Sequence, residues 1–196
     1  GSFVMNQSIN TTGTCLTIQA NNITLDMNGF NITGDATGFS DRNDYGVFSD
    51  GYDNLTVYNG LVDRVFYGFR ISNGGDINLT NLTVTGAEYG FSLTNVDVGY
   101  LTDLNASNNV MLDFGGYPIV ISATSSFIEL DGLDAFNNDE NIQLYAPNSS
   151  YINITTNDDL YPSGQYSNYT NITVTEGYIS NPGSNSVYRN INVDST

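Results

Sequence analysis

The chain has 196 residues, with 21 Asp and Glu against four basic residues, all arginine, for a formal net charge of −17. It contains no histidine, no tryptophan and one cysteine. Four arginines cannot build the clustered basic surface that nucleic acid or an anionic membrane requires. Without histidine there is no His-liganded metal and no Ser-His-Asp triad, and one cysteine excludes a disulfide within the chain.

Apolar residues make up 39% of the chain, aromatics 12% and charged residues only 13%, so burial can offset chain entropy and the chain folds. No apolar run approaches the roughly 18 residues of a membrane helix. No leader peptide is recognisable, which leaves either a processed export signal or a start inside a longer precursor. The polar residues are mostly Asn, Thr, Ser, Gly and Asp, a composition hostile to helix and rich in turn formers.

In chain order, the first strand-like stretch is Phe3-Val4-Met5, followed by the alternating runs Cys15-Leu-Thr-Ile and Ile23-Thr24-Leu25. An excess of residues around Thr37 to Asn43 predicts a protruding loop. A repeat then becomes explicit: Tyr45-Gly46, Tyr67-Gly68 and Tyr89-Gly90 recur every 22 residues. Asp41-Arg42 recurs as Asp63-Arg64, Asn59 as Asn81, Asn73 as Asn95, and Phe69 as Phe91 at the same interval. One period later Met111-Leu112 takes the Tyr-Gly place and Asp103 the Asn81 place. Further runs follow at Ile152-Asn153-Ile154 and Ile172-Thr173-Val174, with lengthened turns expected at Phe114 to Tyr117 and Asn157 to Ser167.

Short strands at a period near 22 are too short for a propeller blade of about 40 residues and fit one turn of a parallel β-helix. The expected fold is all-β: a single domain over residues 1–196, a right-handed parallel β-helix of about eight coils. Equivalent residues should stack about 4.8 Å apart as ladders. Asn59 over Asn81 and Asn73 over Asn95 predict amide ladders at turns. The Tyr-Gly pairs predict an aromatic ladder closing a corner, in preference to a sugar-stacking strip.

The stretch Gly13-Thr-Cys-Leu-Thr-Ile-Gln-Ala-Asn-Asn-Ile-Thr-Leu-Asp-Met-Asn-Gly-Phe-Asn-Ile-Thr-Gly34 resembles the opening coils of NosD-like right-handed β-helix repeats, which are similar to the pectate-lyase-like superfamily. The resemblance covers residues 13 to 112 best. It implies the fold and a bacterial or archaeal surface setting. Its members include lyases, hydrolases, adhesins and envelope proteins, so it does not choose among activities.

Four features are candidates for chemistry. Asp41-Arg42 over Asp63-Arg64 would place two carboxylates about 5 Å apart, near the separation of a retaining glycosidase pair. Arg70 follows, and an arginine can serve as base in the lyases this fold resembles; a surface ion-pair ladder is the favoured reading. Asp131, Asp134, Asp139 and Glu140, with Asp158 and Asp159, offer the oxygen ligands calcium prefers, but match no known loop and read as solvated turns, so no cofactor is expected. Asn-x-Ser/Thr occurs at Asn6, Asn10, Asn22, Asn31, Asn54, Asn78, Asn81, Asn105, Asn148, Asn153, Asn168 and Asn171, and marks these as glycosylation candidates if the chain is exported. Cys15, in an alternating run, reads as a small core residue.

The sequence therefore points to an extracellular, cell-surface structural protein without enzymatic activity. The chain opens on Phe3-Val4-Met5 and closes on Ile191-Asn192-Val193-Asp194 with no amphipathic helix at either end, which predicts end-to-end self-association through terminal coils into a filament, sheath or envelope layer. Surface glycans are a further expected partner; nucleic acid and membrane insertion are not expected. Alternatives are a carbohydrate-binding adhesin module and a polysaccharide lyase or glycoside hydrolase.

Overall fold

The computed structural model describes residues 1–35, 43–109 and 116–194. They form a parallel β-solenoid of about eight turns, with no helix among the described residues. One sheet, here A, runs along the axis through β1 (Ser2–Val4), β4 (Ile23–Asp26), β7 (Leu55–Asp63), β9 (Ile77–Thr85), β11 (Gly99–Ala106), β13 (Ile128–Ala135), β15 (Ser150–Thr156), β17 (Asn168–Thr175) and β18 (Val187–Asp194). β2 (Ile9–Asn10) and β5 (Asn31–Thr33) belong to the same sheet, because β4 and β5 each pair with one half of β7. The second sheet, B, runs through β3 (Leu16–Ile18), β6 (Tyr45–Asp50), β8 (Tyr67–Gly74), β10 (Tyr89–Val96), β12 (Tyr117–Ile121), β14 (Ile142–Leu144) and β16 (Leu160–Tyr161).

Alternation decides which residues stack inside. Phe3, Leu25, Val57, Leu79, Leu101 and Leu130 form one column of sheet A, continued by Tyr151, Tyr169 and Tyr188. Val47, Phe69, Phe91 and Ile119 form a facing column of sheet B. From Leu25 to Tyr169 and from Val47 to Ile119 these side chains are buried, each contributing about 1.5–3 kcal/mol of transfer free energy if fully removed from water. Tyr151 and Tyr169 stack at 5.0 Å, and Tyr169 and Tyr188 at 4.8 Å, where the step between coils has fallen to 18 and 19 residues. Their hydroxyls donate to the Ala146, Leu144 and Pro162 carbonyls, so the buried phenols are satisfied.

The turns are made by asparagine. Among the described residues, twenty-one non-glycine residues have positive φ, and all but Arg64, Phe127, Tyr166 and Glu176 are Asn or Asp. These two side chains tolerate the left-handed region that disfavours others. The long strands of sheet A each bend at one such corner, through Asn59, Asn81, Asp103, Gly132, Asn153, Asn171 and Asn190. The amide chain is present as expected: Asn81 Nδ2 donates to Asn59 Oδ1 at 2.8 Å, and Asn95 Nδ2 to Asn73 Oδ1 at 2.8 Å.

Several details differ from the expected pattern. Tyr117-Pro118 occupies the Tyr-Gly place in the fourth rung, paired with Tyr89; Met111-Leu112 lies outside the described residues. Residues added between those coils displaced the match in sequence while the hydrogen-bonded register skipped over them. Asn157 to Ser167 does not loop out. It carries β16 and belongs to a shortened coil, with Tyr151 paired to Tyr169. Most of the loop expected from Thr37 to Asn43, and Phe114 of the turn before Tyr117, fall outside the described residues.

Candidate functional site

Sheet B presents its strand starts as an aromatic rail. Tyr45, Tyr67, Tyr89 and Tyr117 stack in register, with ring centroids 5.4, 4.7 and 5.2 Å apart. Phe48 closes one end by stacking on Tyr45 at 4.7 Å, and Phe66 packs edge-on against Tyr67. The glycine after each of the first three tyrosines is required by close approach: a Cβ on Gly68 would lie 2.5 Å from the Gly90 carbonyl oxygen and 2.6 Å from Val84. With no side chain there, successive coils approach closely enough for the phenols to stack.

The rail is half-buried, whereas a ladder that merely closes a corner would be covered. Tyr45, Phe66, Tyr67 and Tyr89, with Asn43, Arg70 and Glu88, line an open groove of about 490 Å³. The ring faces are occupied by one another, so ligand meets ring edges and hydroxyls repeating every rung. Arg70 projects from β8 with its guanidinium 4.6 Å from the Tyr67 ring centre. Glu88, 2% exposed, lies against the same tyrosines.

Electrostatics keep these phenols protonated. Burial pushes Tyr89 up to about 12, reinforced by Tyr67, Glu88 and Tyr117. Tyr67 is also raised, by burial first, against the opposing pull of Arg70. The groove thus offers phenol hydroxyls, the Arg70 side chain and the covered carboxyl of Glu88.

The other expected sites fare differently. Asp63 and Arg64 pair at 3.2 Å on the surface, with the Arg64 side chain 61% exposed; Asp41 and Arg42 lie outside the described residues. Arg64 lines a separate concavity with Thr33 and Gly34, so it does not share the groove of Arg70. Among the described residues no three acidic side chains converge as a metal would need. Asp131 instead accepts from Asn153 Nδ2, and Asp158 accepts from Asn138. Cys15 packs against the core, and burial pushes its thiol up. Ten of the twelve sequon asparagines are exposed; Asn78 and Asn105 are half-buried.

The role of Glu88 and the extension of the rail to Tyr117 escaped the sequence reading. Glu88 immediately precedes a Tyr-Gly pair, and Tyr117 would have been found by aligning on strands instead of a fixed interval.

No family model and no curated protein matches the chain. Among solved structures, the chain is similar to the crystal structure of an alginate lyase from Paenibacillus sp. str. FPU-7, with a TM-score of 0.50 and 10% identity over 97% of this chain and 92% of that one. At that identity the likeness shows a shared β-solenoid fold.

Proposed function

We propose that the chain is a polysaccharide-binding β-solenoid of an exported surface protein, with the tyrosine groove as its binding site. The observation that carries this is the rail itself: the rings of Tyr45, Tyr67 and Tyr89 repeat at 5.4 and 4.7 Å beside Arg70 in an open groove. That repeat is close to the length of one sugar in an extended chain. The fold likeness to an alginate lyase supports polysaccharide as the ligand class. The NosD-like resemblance and the exposed sequons support export.

The ligand we favour is neutral or N-acetylated. A formal charge of −17 repels a long polyuronate, and one arginine in the groove does not reverse that field. Binding is preferred to cleavage by elimination. Such cleavage needs an accessible proton acceptor, whereas Glu88, the carboxyl of the groove, is 2% exposed and the phenols of Tyr67 and Tyr89 are shifted upward. Affinity electrophoresis and calorimetry against neutral, N-acetylated and uronate polysaccharides test the reading. Saturable binding weakened in Arg70→Ala and in Tyr89→Phe is expected; release of unsaturated sugar products would replace binding with catalysis.

End-to-end self-association is a second reading, favoured by the exposed apolar side chains of the terminal strands. Phe3 and Val4 on β1 are 57% and 65% exposed, and Val187 and Val193 on β18 are 41% and 43% exposed. Light scattering and electron microscopy at high concentration test it: fibres that disappear in Val4→Lys support it, and a monomer at all concentrations removes it.

A further inference from the structure

At the opposite end of the sheet B strands, where the chain turns into sheet A, a second column of left-handed residues runs along the solenoid. Main-chain hydrogen bonds stack Phe127 on Asn148 and Asn148 on Tyr166: Phe127 N–H donates to Pro147 O, Asn148 N–H to Gln165 O, and Tyr166 N–H to Ser184 O. Asn22, Asn54 and Asp76 hold the same corner in earlier coils, and Asn185 follows Tyr166. Val98 holds this corner without a positive φ, and apart from Phe127 and Tyr166, with φ of 52° and 54°, the left-handed residues of the column are Asn or Asp. A bulky residue is strained there, and such strain persists where the surroundings enforce it and the side chain has a use.

The use is not packing. Phe127 and Tyr166 are each 60% exposed, and neither ring stacks on another aromatic ring among the described residues. The backbone beneath is locked by a serine ladder. Ile128 N–H donates to Ser149 Oγ at 3.0 Å, Ser149 N–H to Ser167 Oγ at 3.1 Å, and Ser167 N–H to Ser186 Oγ at 3.1 Å. Two open rings are therefore held on a rigid edge two rungs apart, about 9.6 Å at the strand spacing. Between them lies Asn148, whose side-chain amide has no partner among the described residues. Tyr100, 49% exposed, Glu129 and Asn168 complete a concavity of about 430 Å³.

We propose that this corner is a second carbohydrate site, taking an extended, neutral β-1,4-linked glycan along the solenoid axis. Alternate sugars rest on Phe127 and Tyr166, whose separation is close to the disaccharide repeat of such a chain. The sugar between them reaches the Asn148 amide. The faces of these rings are free to stack on sugar C–H surfaces, unlike the mutually stacked rings of the tyrosine rail. The site is independent of the groove at Arg70.

The test uses the full chain, produced in a host without N-glycosylation so that Asn148 and Asn168 are bare, with cellohexaose and chitohexaose as probes in calorimetry. At least one should bind. In the Arg70→Ala chain, which lacks the guanidinium of the tyrosine groove, Phe127→Asn and Tyr166→Asn should each weaken the remaining binding about tenfold, and both together should abolish it. Asparagine already occupies this corner in other coils, so both variants fold; relief of strain should raise Tm by about 2 °C. Absence of binding to both probes, or binding by the Arg70→Ala chain that survives both corner substitutions, overturns the proposal. So does a fall in Tm in both variants, which would make the rings part of the packing. Loss of binding only in Arg70→Ala would assign the probes to the tyrosine groove.

Discussion

Asn81 Nδ2 donates to Asn59 Oδ1 at 2.8 Å while both residues hold left-handed backbone, φ 52° and 60°. Each asparagine therefore turns the chain and ties its coil to a neighbouring one. Separating the two roles gives a first prediction. Asn81→Gly keeps the turn and loses the amide, costing about 1 kcal/mol. Asn81→Ala loses both and costs about 2 kcal/mol. Urea denaturation of the two variants measures the difference; equal losses would show that the left-handed turn carries no cost for alanine.

Gly68→Ala separates close approach from conformational freedom. Its Cβ would meet the Gly90 carbonyl oxygen at 2.5 Å and Val84 at 2.6 Å, so coils must part and stability should fall by about 1–3 kcal/mol. Gly51, with φ 82° and no atom within 4 Å of a built Cβ, supplies the contrast. Gly51→Ala should cost only backbone strain, about 1 kcal/mol, and should leave the stacking of Tyr67 on Tyr89 intact by near-ultraviolet circular dichroism.

Alkaline pH should unfold the protein through its tyrosines. Burial raises Tyr89 to about 12 and pushes the buried Tyr151 and Tyr169 further up, whereas a free phenol titrates near pH 10. A folded-state pKa above the unfolded value stabilises fully below the unfolded value and is lost as pH rises through the folded one. Stability contributed by these phenols is thus intact up to about pH 9 and falls from about pH 10 through 12 and above. A phenolate absorbance titration followed together with circular dichroism should show the last tyrosines ionising as structure is lost. Fourteen tyrosines titrating together near pH 10 with the fold retained would contradict the assignment.

The twelve sequons should not be equivalent. The Nδ2 atoms of Asn54, Asn81, Asn153 and Asn171 donate to the preceding rung, where an attached sugar needs room. Asn6, Asn10 and Asn31 are exposed, with side-chain nitrogens that have no hydrogen bond among the described residues. Expression in a glycosylating host, followed by glycopeptide mass spectrometry, should find occupancy concentrated in the second group and low in the first. The reverse order would mean that modification precedes the ladders and outcompetes them.

The solenoid was legible because stacking makes the structure repeat wherever the sequence does. Tyr45, Tyr67 and Tyr89 recur at one interval, and their rings lie one over another. Tyr117 was not legible from that interval: extra residues shift it in sequence while hydrogen bonding keeps it in register with Tyr89. The serine ladder of Ser149, Ser167 and Ser186 was hidden for a similar reason, since coil lengths there vary. Phe127 and Tyr166 look like ordinary aromatics until the register shows that they occupy asparagine positions. That Arg70 faces the tyrosine groove while Arg64 does not depends on the register: Arg70 leaves β8, whose facing is set by its partner strands, whereas Arg64 lies in the left-handed bend after β7.

The central claim is that the groove of Tyr45, Tyr67, Tyr89 and Arg70 binds polysaccharide. Calorimetric titration of the unglycosylated chain with neutral and N-acetylated polysaccharides, alongside Arg70→Ala, tests it most directly. With the second site removed by Phe127→Asn and Tyr166→Asn, the account predicts saturable binding that is lost when Arg70→Ala is added. No binding across the panel, or equal binding by Arg70→Ala, would contradict it.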